Sequence, residues 1–299
     1  MKILIAGGSG VIGRRVIPML REAGYEVDGL SRSQQSDSIL EWAGAHPIRA
    51  SLTSPDELRD AVRGHDLVIN LATSVPPASR VLFPGAWKKM DEIRRAGSAN
   101  LVAASAAGGV RRFIQESFAP IYADQADRWI DESSPSEPAA YNRSVLDAER
   151  NAQSFRGPWV VLRFAYFYGP DSDFTQQIMG MVRHRWAASF GSPEGYISSI
   201  SHDDAASAVF AAINAPPGIY NVVDDEPVTR REFNDSLADA LGVRHPRFLP
   251  EWMSKLTGSV GQTLARSQRI SNRKLRTSSN WSPKDSSVRQ GWRTLVSKS

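Results

Sequence analysis

The chain has 299 residues, ordinary apolar and charged fractions, a formal net charge of +4 and no cysteine. That length buries one large core or two smaller ones, and the lack of cysteine excludes disulfides, thiol nucleophiles and thiolate metal sites while suiting a reducing cytoplasm. No apolar run approaches a membrane span, and the first residues already read as a strand without a signal-peptide pattern, so the expected localisation is cytoplasmic.

Residues 2–6 predict a strand built on Ile3, Leu4 and Ile5 that runs into Gly7, Gly10 and Gly13. An amphipathic helix over about 11–23 follows, with Val16, Ile17 and Leu20 on its apolar stripe and Pro18 expected to bend it or remove a hydrogen bond. Strand, glycine turn and helix together form a seat for a dinucleotide pyrophosphate. Gly7 permits the tight turn, Gly10 lets the backbone approach the phosphates, Gly13 lets the helix close on the strand, and the helix N-terminus faces the anion. Gly7, Ser9, Gly10, Val11, Ile12 and Gly13 are therefore candidate cofactor-binding residues.

The second strand, Glu26–Leu30, ends at Ser31 and Arg32, where an acid would bond the ribose hydroxyls of NAD. A hydroxyl and a guanidinium suit a 2′-phosphate instead, so the expected cofactor is NADP. Asp28, the nearest acid, sits too early in the strand to reach the ribose. A third strand is expected near Pro47–Ala50, a short helix over Asp56–Val62 and a continuous apolar strand over Leu67–Leu71, as in a parallel sheet covered on both faces. A long helix over 86–107, a strand at Arg112–Gln115, a loop at Asp131–Pro138, a helix over 140–154 and a strand at Trp159–Phe164 complete the rhythm. The expected fold is α/β, a doubly wound parallel-sheet Rossmann domain over 1–165.

After Gly169-Pro170 the rhythm weakens. A helix over 200–215 and a strand over 218–223 read as returns to the first domain, leaving 166–199 and 224–299 as a smaller substrate domain. From Arg230 to Ser299 there are 14 Lys and Arg against 5 Asp and Glu. Trp252, Trp281 and Trp292 are too widely spaced there for a nucleic-acid surface, so the charge reads as a solvated face or a cap that attracts an anionic substrate. Neither a nucleic acid nor a membrane is an expected partner. The histidines, at 46, 65, 184, 202 and 245, lack ligand spacing, so no metal is expected; His202-Asp203-Asp204 reads as a helix start.

At this point the chain resembles the extended short-chain dehydrogenase/reductases, the NAD(P)-dependent epimerase/dehydratase family. The resemblance rests on Gly7–Gly13, on Asp66-Leu67-Val68-Ile69-Asn70-Leu71-Ala72-Thr73, on Gly97-Ser98-Ala99-Asn100, on Leu162-Arg163-Phe164 with Tyr168-Gly169-Pro170, and on Ile200–Ala206 and Gly218–Val222. It implies that Leu71, Ala72, Thr73 and Phe164 border the cofactor, that specificity lies in the second domain, and that the protein forms a homodimer through its long helices. It also implies a catalytic tyrosine, a lysine four residues later and a serine or threonine on the preceding strand. Tyr141 matches the tyrosine. The lysine position holds Val145, and Phe118 stands at the serine position with Ser117 one residue early. Arg143, two residues along, does not face the same way.

Tyr141, Ser117 and Glu116 are the candidate catalytic residues. Without the lysine, Tyr141 is a weak base, but a neutral phenol still donates a proton. Glu116 ends a central strand, where open α/β sheets bind ligands, and alternation opposes it to Ser117. Its two readings are an acid–base group and a carboxylate paired with an arginine. Tyr166, Phe167 and Tyr168 line or pack beside the pocket. The expected activity is NADPH-dependent reduction of a carbonyl-type small molecule. The alternatives are a redox-neutral epimerase, lyase or cyclase with bound NADP, and a non-catalytic NADP sensor.

Overall fold

The computed structural model describes residues 1–77, 80, 81, 83–250, 252 and 258–297. The first half of the sheet comprises β1 (Lys2–Ala6), α1 (Gly13–Glu22), β2 (Glu26–Ser31), α2 (Gln34–Ala43), β3 (His46–Arg49), α3 (Pro55–Ala61) and β4 (Leu67–Asn70). The long helix then runs from a 3-10 turn at Pro84–Trp87 through α4 (Lys88–Glu92), a π-turn at Ile93–Gly97 and α5 (Ser98–Ala107). Next come β5 (Arg112–Phe118), β6 (Trp129–Ile130), α6 (Val145–Gln153), β7 (Trp159–Phe164), β8 (Tyr166–Tyr168) and α7 (Asp173–Arg183). The chain continues through β9 (Tyr196–Ile197), β10 (Ser199–Ser201), α8 (His202–Ala212), β11 (Gly218–Val222), β12 (Val228–Thr229) and α9 (Arg230–Leu241). It closes with α10 (Gly258–Leu264), β13 (Arg269–Ile270), α11 (Arg273–Ser279) and α12 (Val288–Val296).

Seven strands form one parallel sheet in the order β3-β2-β1-β4-β5-β7-β11. The winding reverses between β1 and β4, which opens a crevice at their carboxyl ends. Strand alternation supplies two cores, one on each face. Ile3 and Ile5 pack with Val16, Ile17 and Leu20 of α1, while Leu4 and Ala6 pack with Leu58 of α3 and Leu101 of α5. All four residues of β4 are buried because helices cover both faces. α1 runs through Pro18 without ending.

A smaller core forms from Tyr168, Ile178, Met179, Val182, Phe233, Leu237 and Trp292, on β8, α7, α9 and α12. Trp281 packs in the main core, whereas Trp252 is exposed. β11 (Gly218–Val222) pairs with β7 in the main sheet and α8 (His202–Ala212) packs on α1, with the Ser201 hydroxyl capping α8 by accepting from the Asp204 amide.

In the first domain α2 and α6 differ from the sequence reading, and beyond it α7, α9, α10, α11 and α12 are helices the sequence reading did not assign. α2 was not anticipated, although Ser33 caps it by accepting from the Ser36 amide and Gly44 ends it in the left-handed region at φ 96°. Its polar first turn masks the apolar pair Leu40 and Ala43. The helix expected over 140–154 begins only at Val145, and residues 141–144 form turns before it. Tyr141 and Asn142 are buried in those turns, so packing fixes their side chains. Arg143 is exposed, so it points away from the site for this reason rather than through helical phase.

Candidate active site

The crevice between β1 and β4 has the shape that a pyrophosphate needs. Gly7 adopts φ 80°, and a Cβ there would lie 2.6 Å from the carbonyl of Leu71 and 2.7 Å from the amide of Ala72. A Cβ on Gly13 would lie 2.4 Å from the Gly7 oxygen and 2.5 Å from Cα of Gly8. The turn is closed by the Gly10 amide donating to the Gly7 carbonyl at 3.0 Å. The first turn of α1 leaves N–H groups without intrahelical acceptors, and this is the element presented at the crevice. These backbone features fit a dinucleotide. Ser9, Val11 and Ile12 complete the turn, and Leu71, Ala72 and Thr73 form its opposite wall, increasingly exposed along the chain. Phe164 is 1% exposed and its ring packs on Phe167 in the core, away from solvent.

At the end of β2, Ser31 is buried and its hydroxyl donates to the Ser33 carbonyl at 3.1 Å. Arg32 is exposed and has no ion-pair partner among the described residues. Arg49 stands in register with Ser31 on β3 and pairs with Asp37. Asp28 is bound elsewhere, to Lys2 Nζ and His65 Nε2 at 2.9 Å each.

The carboxyl end of β5 carries two polar groups with different partners, as alternation requires. The Ser117 hydroxyl donates to Glu149 Oε1 of α6. Glu149 is gripped by Arg163 of β7, through Nε at 2.8 Å and Nη2 at 2.7 Å, and Arg163 Nη1 donates to the Tyr122 hydroxyl at 2.8 Å. Tyr122 in turn donates to Asn221 Oδ1 of β11 at 2.8 Å. This buried chain ties β5, β7, α6 and β11 together and occupies the Ser117 hydroxyl.

Glu116 is 8% exposed and has Oε1 3.5 Å from Arg94 Nη2, too long for a good hydrogen bond. Its Oε2 and Arg94 Nε are buried without hydrogen-bond partners. Burial pushes the Glu116 carboxyl up, and the Arg94 charge pulls the other way. Glu116 is thus paired with an arginine, and its other oxygen has no hydrogen-bond partner among the described residues.

Tyr141 packs on Trp87, with ring centroids 4.6 Å apart, and shares an apolar cluster with Met90 and Val260. Burial pushes its phenol up to about 12 against the opposing pull of Thr263, Arg94, Arg266 and Asn142. Val145 is fully buried at the start of α6. Phe118 meets the Tyr166 ring edge-on at 5.9 Å, and the Tyr166 hydroxyl is buried without a hydrogen-bond partner.

Sequence reasoning missed Arg94, although its signal lay in the basic pair Arg94-Arg95 just before Gly97. It also missed Asp171, which pairs with Arg14, with Arg15 and with His202 Nδ1. Arg15 further bonds Asp203 at 2.8 Å, so the glycine-turn helix is bolted to α8 and to the loop before α7. A groove of about 980 Å3 lies away from these groups, along edge strand β11, between Trp129, Glu132, Trp159 and Lys274. Glu132 accepts from the Asn221 amide there and Lys274 donates to the Ile219 carbonyl, which caps the open edge. No cluster of three or more His, Asp or Glu among the described residues is placed to hold a metal ion, and no described helix is long and apolar enough to cross a membrane.

A seven-stranded parallel sheet, a glycine cradle at its switch point and a buried tyrosine packed on Trp87 mark an enzyme of the short-chain dehydrogenase/reductase type. The sequence profile of the NAD dependent epimerase/dehydratase family matches residues 3–222, and the chain belongs to that family. It is 31% identical to the 3-diazoavenalumate denitrifying reductase of a Streptomyces species, over 97% of this chain and 99% of the relative. A second relative, 26% identical over 89% of this chain and 81% of its own length, is the 4-hydroxy-2-methyl-3-oxo-4-farnesyl-3,4-dihydroquinoline-1-oxide ketoreductase of Stigmatella aurantiaca. Among solved structures, a human epimerase family protein with NADPH superposes with a TM-score of 0.83 at 20% identity, each chain covering 100% of the other.

Proposed function

We propose that this protein is an NADP(H)-dependent reductase that acts on a carbonyl-type small molecule, with Tyr141 as the proton donor. The observation that carries the reading is the burial of Tyr141, which pushes its phenol up to about 12. A phenol pushed up in this way is neutral at pH 7, so it is available as a proton donor and not as a base. When bound, the reduced nicotinamide supplies the hydride that goes to the carbonyl carbon. Tyr141 gives its proton to the carbonyl oxygen, and the products are an alcohol and the oxidised cofactor. Arg32, exposed and without an acidic partner, supports the choice of NADP over NAD as the receptor of a 2′-phosphate. The reductase names of the two sequence relatives support the direction of the reaction. The expected partner is a small molecule, with a homodimer as the expected assembly.

The test supplies NADPH deuterated at the transferable position together with candidate ketones. Label in the alcohol, lost in Tyr141→Phe, is the expected result. Turnover without net consumption of NADPH would replace this reading with a redox-neutral one, and binding without turnover would leave a sensor.

A further inference from the structure

Proton donation leaves Tyr141 as a phenolate in a site only 9% exposed, and a buried anion requires a nearby positive charge. The sequence supplies none on α6 itself, since the position four residues on is the fully buried Val145. The long helix carries one nearby: its Trp87 and Met90 pack on Tyr141, and Arg94 follows Met90 by four residues on the same helix. Its hydrogen-bonding pattern widens at Ile93–Gly97 into a π-turn, a local distortion that recurs at functional sites. This turn packs against α6 and carries Arg94, which is 5% exposed. A buried guanidinium ordinarily uses its donors fully. Arg94 does not, because Nε has no acceptor and Nη2 stands 3.5 Å from Glu116 Oε1, its ion-pair partner among the described residues. Glu116 Oε2 is equally unpartnered.

We propose that Arg94 is the positioning residue of the reaction, a cation that stabilises the phenolate form of Tyr141, and that Glu116 holds its guanidinium at the end of β5. This rests on Tyr141 being the proton donor. The other groups that act on Tyr141 are already engaged or uncharged. Arg266 is satisfied by the carbonyls of Tyr122 and Glu137 and by the Glu137 carboxylate, and the Thr263 hydroxyl donates to the Ser259 carbonyl at 2.8 Å. Asn142 is neutral, and so is the buried phenol of Tyr166. The spare donor capacity at Arg94 is the feature that a new negative charge would use.

The test places 2,3,5-trifluorotyrosine at position 141, whose more acidic phenol titrates in a range the fold tolerates, and follows it by fluorine NMR without cofactor or substrate. In Arg94→Gln the phenol is expected to become about tenfold less acidic, a shift of about one unit, whereas Arg94→Lys keeps most of the original acidity. In the unlabelled protein, Arg94→Gln is expected to lower kcat about tenfold with the NADPH dissociation constant unchanged. An unshifted titration in a folded Arg94→Gln protein overturns the proposal, as does an Arg94→Lys protein that titrates like Arg94→Gln. If the titration shifts but Tyr141→Phe turns over normally, the Arg94–Tyr141 coupling stands and the assignment of Tyr141 as the donor falls.

Discussion

Gly13→Ala isolates the role of the glycine cradle. The added methyl would lie 2.4 Å from the Gly7 oxygen and 2.5 Å from Cα and the oxygen of Gly8, all backbone atoms of the turn itself. None is the movable end of a side chain, so α1 must back away from β1 or the turn must open. Overpacking of this kind costs about 1–3 kcal/mol. With an unfolding entropy of roughly 2.1 cal/mol/K per residue over this chain, that is a fall in Tm of about 2–5 °C. The larger effect falls on the cofactor, because opening the turn displaces the N–H groups that would meet the phosphates. The expected result is at least tenfold weaker NADPH binding by calorimetry in a protein that remains folded. Gly180→Ala is the control. Gly180 lies within α7, has no heavy atom within 4 Å of a built Cβ, and should gain about 0.5–1 kcal/mol from alanine. A Gly13→Ala protein that binds NADPH like the parent would refute the cradle argument, and destabilisation by Gly180→Ala would show that these clearances do not predict cost.

Arg32→Asp should weaken NADPH about 10–100-fold and leave NADH little changed, from the loss of about 1.5–3 kcal/mol of charge-assisted bonding; an unaltered preference would remove Arg32 from cofactor choice. Ser117→Ala should cost about 1–3 kcal/mol of stability by depriving buried Glu149 of a donor, with kcat per folded molecule retained; loss of kcat at constant Tm would instead return Ser117 to the chemistry. Although burial pushes Asp171 upward, Arg15, His202 and Arg14 together hold its carboxyl well below the ordinary range. Its ion pairs therefore stabilise the fold fully above about pH 4, and that stabilisation drains away as pH falls toward the lowered folded value. Protonation of His202, held low by burial and Arg15, adds to the pair as pH falls below 7, and the Tm gap between the parent and Asp171→Asn should then narrow below about pH 4. A gap that does not shrink between about pH 4 and 2 would contradict the pairing.

The parallel sheet was legible because its signals are local and repeated. Leu67–Asn70 is apolar without interruption, and Val16, Ile17 and Leu20 recur at helical spacing, so burial on both faces follows from the sequence. The glycine cradle was legible for a related reason, since it requires the absence of side chains, which a sequence states directly. The Tyr141 environment was not. Its turn, its contact with Trp87 and its cover from α10 join residues 54 and more positions apart, and pattern reading carries no distances of that kind. Arg94 was hidden differently. A basic residue in a helix reads as solvated, and only the π-turn together with the position of Glu116 shows that it is buried.

The two halves of the site answer to different constraints, which explains how this chain keeps one and changes the other. The cradle is backbone, held by β1, β4 and α1, and it survives any substitution that leaves Gly7 and Gly13 room. The family's catalytic pattern falls at the end of β5, in the turn before α6 and at the start of α6, and here two of those positions, Phe118 and Val145, have been put to packing. Val145 is fully buried where a lysine would need a polar outlet. Ser117 completes a buried ionic chain from α6 to β11. Phe118 sets its ring edge-on to Tyr166, so this wall of the site offers an aromatic surface where a hydroxyl would have offered a hydrogen bond. In the proposed reduction, a substrate oxygen at such a wall would have fewer donors available, so more of the proton transfer would rest on Tyr141 and more of the charge on whatever faces it. Among the buried groups with unused donors there, Asn142 and Tyr166 are neutral, and the loosely held guanidinium of Arg94 is the charged one.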